Sequence, residues 1–167
     1  MPPNSRERAA TGLFLTLVLL SLSGLVHPWF EPVRDASVYI TTAKALLAGD
    51  GYSYLGMPFI ARPPGFPVLL APVLALFGTN FLALHLWVGL IGAGTVALCF
   101  LLFRERLGWP LAMAVATAIW LNPGFRRLSN EVMSDVPGLA LLIARLLGER
   151  RANRRPSPGR EPWLAGV

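Results

Sequence analysis

Charged side chains fall in narrow bands along the chain, and the intervals between the bands are long and apolar. Residues 9–30 contain no Asp, Glu, Lys or Arg, and neither do residues 63–103. The first interval predicts a membrane-crossing helix over about 9–30, because about 20 apolar residues cover roughly 30 Å of hydrocarbon. A cleaved signal peptide is its rival, since Arg6 and Arg8 precede the leucine-rich core and "SLSG" at 21–24 offers small residues. The apolar runs that follow favour retention in a membrane. The second interval is too long for one crossing and is punctuated by "FGTN" at 77–80. Its first part carries Pro63, Pro64, Pro67 and Pro72 and reads as a short interfacial helix over about 64–77. Its second part is a span over 80–103, closed by the charged turn "RERLG" at 104–108.

A third span is expected over 109–123, ending at "NPG". A fourth, over 136–147, would rise only about 18 Å as a helix and must let Arg145 snorkel. Between the first two spans, "DASVYITTAKALLAG" places Val38, Tyr39, Ala43, Leu46 and Leu47 on one helical stripe, opposite Ser37, Thr41 and Lys44. That pattern predicts a surface-lying helix over 36–48, stopped by Gly49. The expected fold class is therefore all-α and multi-pass. Three to four spans form a membrane domain over 1–148, with a long external loop over 27–79 and a disordered cytoplasmic tail over 149–167.

Composition agrees: 54% of the 167 residues are hydrophobic and 14% charged, which does not describe a soluble domain. A net charge of +6 raises the question of nucleic acid, but the arginines lie in small groups between apolar runs and form no basic face. No nucleic-acid partner is expected. Cys99, the single cysteine, reads as a small packed hydrophobe, so no internal disulfide and no cysteine-based metal site follow. His27 suits an interface and His85 lies within a span, and neither belongs to a ligand cluster.

The arginine groups orient the chain. Arg6 and Arg8 precede the first span, Arg104 and Arg106 follow the second, and Arg150, Arg151, Arg154 and Arg155 follow the fourth. With alternating spans all three groups share one side, which the positive-inside rule makes cytoplasmic, N-terminus included. The expected location is the cell (inner) membrane. Glu31, Asp35, Arg62, Glu131 and Asp135 then share the external side with Arg34, Arg126 and Arg127. Taken singly, Asp35 and Asp135 fit helix N-caps and Glu131 a solvated residue. Capping does not explain why acidic groups from two loops lie on one side with several arginines. An anionic lipid headgroup would draw those arginines there, and a carboxylate beside it could take a proton.

The order of these features resembles a known family. Asp35 lies just outside the first span, followed by "YITTAKALLAGDGY" (39–52), "RPPGFPVLLAPVLALFG" (62–78), a span ending in "RERLG", and "LNP…NEVMSDVP" (121–137). This is similar to the N-terminal part of the integral-membrane GT-C glycosyltransferases, the protein mannosyltransferase and aminoarabinose transferase group, over roughly residues 11–147. The resemblance implies transfer, with inversion, of a sugar from a polyprenyl-phosphate carrier to a protein, lipid or glycan acceptor on the external face. It implies that Asp35 deprotonates the acceptor, that Arg62 lies near the lipid phosphate, and that Glu131 and Asp135 line the same cavity. Arg34, Arg126 and Tyr39 join Arg62 as candidate substrate-binding side chains. No cofactor is certain, and a divalent metal, used by some members of the wider superfamily between such carboxylates, stays open. Full members have more spans, so a truncated product would lack helices that complete the carrier groove. The competing expectation is a small non-enzymatic membrane scaffold whose acidic residues are helix caps.

Overall fold

The computed structural model describes residues 5–29 and 35–153. Of these residues 78% are helical. In chain order they form α1 (Ser5–Ser21) with a 3-10 turn (Leu22–Gly24), α2 (Ala36–Ala48), the short strands β1 (Ser53–Tyr54) and β2 (Met57–Pro58), α3 (Gly65–Phe77), α4 (Phe81–Leu121), α5 (Pro123–Leu128) and α6 (Asp135–Asn153). The strands pair antiparallel, Ser53 opposite Pro58 and Tyr54 opposite Met57. This hairpin is the one departure from the all-α expectation among the described residues.

Two helices, Ser5–Gly24 and Phe81–Leu121, are long and apolar enough to cross a membrane. The first begins earlier than the hydropathy predicted, taking in Arg6 and Arg8, and ends earlier, at Gly24 instead of residue 30. Residues 25–29 leave the helix, and the His27 ring stacks on Trp29 with centroids 4.4 Å apart. "RERLG" is not a loop: helix continues through it and breaks at Gly108 alone, whose φ of 74° and ψ of 165° are non-helical. Glycine takes that left-handed φ without a Cβ clash, and Pro110, lacking an N–H, suits the first turn of the helix that restarts.

The break folds α4 back on itself. Glu7 at the start of α1 forms an ion pair with Arg104, while Leu22 lies against Gly89 and Trp120 Nε1 donates to Ser21 Oγ at 3.0 Å. Residues 81–107 therefore run antiparallel to α1, and residues 109–121 return beside it. Val18, Leu22, Ala93, Val96, Phe100, Ala112, Ala116 and Trp120 make one core where the three segments meet. Helix α6 completes the bundle: Ile143 and Leu147 pack on Cys99 and Leu102, and Arg150 Nη1 donates to Leu102 O at 3.1 Å.

The expected third span, 109–121, belongs to the Phe81–Leu121 helix and rises about 20 Å by itself, and α6, the expected fourth, carries Arg145, Glu149, Arg150 and Arg151 and lies outside the two candidate crossing helices. Helix α6 also runs to Asn153, so residues 149–153 of the expected disordered tail are helical; the rest of that tail lies outside the described residues.

At the opposite end of the bundle from Arg104 and Arg150, α2 and α3 cap the start of α4. Tyr39, Ile40, Ala43, Phe66, Leu70, Val73 and Leu74 bury themselves against Leu84, Val88, Val132 and Met133. His85, 3% exposed, donates through Nδ1 to the His27 carbonyl at 2.9 Å, since a carbonyl oxygen only accepts.

Candidate functional site

The site is built on α2, on the chain between α2 and α3, and on the loop that precedes α6. Asp35 precedes the first turn of α2 and accepts the Tyr39 N–H at 3.0 Å through its backbone carbonyl, but its carboxylate makes no capping bond. The carboxylate instead meets Arg62 Nη2 at 2.8 Å, with the two side chains 26% and 41% exposed. Both therefore keep access to solvent or ligand. The structure thus replaces the N-cap reading of Asp35 with an ion pair 27 residues distant in sequence.

Arg62 is held from behind. The Tyr52 hydroxyl donates to the Arg62 carbonyl at 3.0 Å, and the Tyr52 and Tyr54 rings contact Phe59 at centroid distances of 5.6 and 5.7 Å. Burial, together with the nearby Tyr39, pushes the Tyr52 phenol above its usual pKa, against smaller lowering effects of Arg62 and Thr42. The phenol is therefore protonated at neutral pH and available as the donor.

Tyr39 lies one helical turn beyond Asp35. It is 4% exposed, packs edge-on against Phe66 at 5.0 Å, and shares a 2.9 Å hydrogen bond between its hydroxyl and Ser134 Oγ. This bond ties α2 to the loop before α6. Beside it opens a cleft of about 260 Å³ between α3 and α6, lined by apolar Pro63, Phe66, Leu69, Pro137 and Leu141 together with Tyr39 and Ser134. Arg62 adjoins Pro63 in the chain, and Asp135 adjoins Ser134. Asp135 is exposed at the first residue of α6.

The other expected site residues fall differently. Glu131 is only 8% exposed and its carboxylate accepts Arg127 Nε at 2.7 Å. This pairing with Arg127 was not expected from the sequence; the i,i+4 spacing of 127 and 131 was the available signal. Arg126 is half-buried, and its Nε finds no hydrogen-bond partner among the described residues. Arg34 lies outside the described residues. Ser134 and Tyr52 were not anticipated. Among the described residues no group of three or more His, Cys, Asp or Glu side chains is placed to hold a metal ion.

The loop bearing Glu131 and Ser134 reaches this position because α4 presents Gly89 and Gly92 to it. Ser129, fully buried, sits over Gly92 so closely that a Cβ there would lie 2.5 Å from its Oγ. Asn122 starts α5 by accepting the Phe125 N–H at 3.0 Å, which turns the chain toward that notch. No family model matches the chain, and comparison with curated proteins and with solved structures returned no match.

Proposed function

We propose that this chain is the membrane-embedded catalytic part of a glycosyltransferase that moves a sugar from a polyprenyl-phosphate carrier to an acceptor on the external face. The single observation that carries the reading is the Asp35–Arg62 pair beside an apolar cleft. A polyprenyl phosphate is an apolar chain with an anionic head, and the cleft and the arginine match those two parts in order.

Arg62 binds one carboxylate oxygen and keeps further N–H donors for a phosphate oxygen, since a guanidinium carries five. Asp35 accepts the proton of the acceptor hydroxyl as that oxygen attacks the anomeric carbon. The bond from the anomeric carbon to the phosphate oxygen breaks, its electron pair leaves with the phosphate, and Arg62 stabilises the charge that develops. One such displacement inverts the anomeric centre. Tyr39 and Ser134 hold α2 and the loop before α6 at the cleft, exposed Asp135 faces the acceptor side, and Glu131, engaged with Arg127, positions its loop. In this reading α2 and α3 lie at the external interface, the remaining helical segments cross or line the inner membrane, and the N-terminus is cytoplasmic.

The test is sugar transfer by membranes carrying the protein, with Asp35→Asn and Asp35→Ser beside wild type. A lost general base costs roughly 10²- to 10⁴-fold. Retention of transfer by both variants would remove Asp35 from the chemistry, and no transfer by wild type above membranes lacking the protein would leave the scaffold reading.

A further inference from the structure

The connection between α2 and α3 carries a second feature that the transfer chemistry does not use. From Asp50 to Arg62 no residue between the two is charged, and the segment folds into the β1–β2 hairpin. Its turn is tight: Leu55 and Gly56 have φ values of 52° and 81°. Consecutive positive φ values mark the hairpin turn whose twist suits two short strands. The Phe59 N–H donates to the Tyr52 carbonyl at 3.0 Å, and Phe59 is clasped by the two tyrosine rings, so the hairpin is held in shape.

What it presents is apolar. Leu55 is 75% exposed, Met57 69% and Ile60 95%. Isolated exposed hydrophobes are ordinary, but three within six residues on a braced hairpin form a patch. The surroundings are graded: Asp50 and Arg62 flank the base of the hairpin, Tyr52 and Ile60 lie next to them, and Tyr54 and Met57 pair beside the Leu55–Gly56 tip. That order matches the layers of a membrane surface, where charge stays in water, tyrosine occupies the headgroup level and aliphatic groups enter the acyl region. Helix α3, which the hairpin leads into, continues the apolar surface with exposed Val68, Leu76 and Phe77.

We infer that the β1–β2 hairpin inserts its tip, Leu55 and Met57, into the lipid leaflet beside the Asp35–Arg62 site, with Ile60 at the interface. The insertion fixes the height of Arg62 at the headgroup level, through the Tyr52 bond to its carbonyl. It rests on the chain being membrane-embedded, and the test separates the two.

In a Cys99→Ala background of the full chain in phospholipid nanodiscs, single cysteines at Leu55, Met57 and Ile60 are spin-labelled. Collision with oxygen, concentrated in acyl chains, is compared with collision with an aqueous nickel chelate. A label at Leu13, 63% exposed on α1, reports on the membrane reading by itself, and one at Asp50 supplies the aqueous reference. The expected result is a higher oxygen-to-nickel ratio at 55 and 57 than at 60, and the lowest at 50. A nickel-dominated ratio at the hairpin with an oxygen-dominated one at Leu13 would overturn the inference while leaving the membrane reading intact. Labels shielded from both reagents would overturn it in favour of a protein contact.

Discussion

Replacing Gly92 by alanine tests how the loop before α6 is seated. The new Cβ would stand 2.5 Å from Ser129 Oγ and 2.8 Å from Ser129 Cβ, and Ser129 is fully buried. Ordinary contacts lie beyond 3.4 Å, so the loop or the helix must move by nearly an ångström. Overpacking of that kind costs about 1–3 kcal/mol. For a chain of this size each kcal/mol lowers Tm by roughly 2–4 °C. Gly94, two residues on, has nothing within 4 Å of its hypothetical Cβ. Gly94→Ala should hold or raise Tm, since alanine is the better helix former by about 1 kcal/mol. The assay is thermal unfolding of both variants in one detergent, with Gly92→Ala repeated in a Ser129→Gly background, where both clashing atoms are gone. Recovery of most of the loss is expected there. Equal melting temperatures for Gly92→Ala and Gly94→Ala would refute the close approach of α4 and the loop.

Three further outcomes follow from the same geometry. Tyr39→Phe removes the bond to Ser134 and should cost about 0.5–1.5 kcal/mol, with Ser134→Ala adding little on top of it in a double-mutant cycle. Asn80→Ala removes the acceptor of the Ala83 N–H at the start of α4 and should cost about 0.5–2 kcal/mol in unfolding measurements. The Tyr52 phenol has a raised pKa in the folded chain, so the stability linked to it is complete below its ordinary value of 10.0 and is lost as pH climbs through the folded value. Melting curves taken above pH 10 should fall less steeply for Tyr52→Phe than for wild type.

Hydropathy and helical periodicity located most of the helices, because both depend on side chains close in sequence. The stripe of Tyr39, Ala43 and Leu46 with Gly49 behind it leads to α2 at Ala36–Ala48, and the proline-rich run leads to α3 at Gly65–Phe77. Arginine grouping also placed Arg104 and Arg150 at one end of the bundle and Asp35 and Arg62 at the other. Periodicity treats a charged band as a loop, so "RERLG" predicts a turn although only Gly108 leaves the helix. Cross-chain partners carry no local signal: Asp35 finds Arg62, and Tyr39 finds Ser134 across 95 residues. Spacing alone favoured a capping role for Asp35 that its carboxylate does not take. The hairpin did have a local signal, the "YLGM" turn with glycine between β-formers, but two-residue strands are too short for alternation to register.

The account stands most directly on whether the Asp35–Arg62 end of the cleft takes a polyprenyl phosphate. Equilibrium binding of a radiolabelled polyprenyl phosphate to the full chain in nanodiscs measures this without knowing sugar or acceptor. A charge-assisted hydrogen bond is worth about 1.5–3 kcal/mol, so Arg62→Gln should weaken binding roughly 10- to 100-fold. Leu141→Trp, which adds bulk to the cleft lining, should weaken it as well, whereas Arg106→Gln, at the other end of the bundle, should not. Wild type and Arg62→Gln binding with the same affinity, or neither binding, would contradict the account.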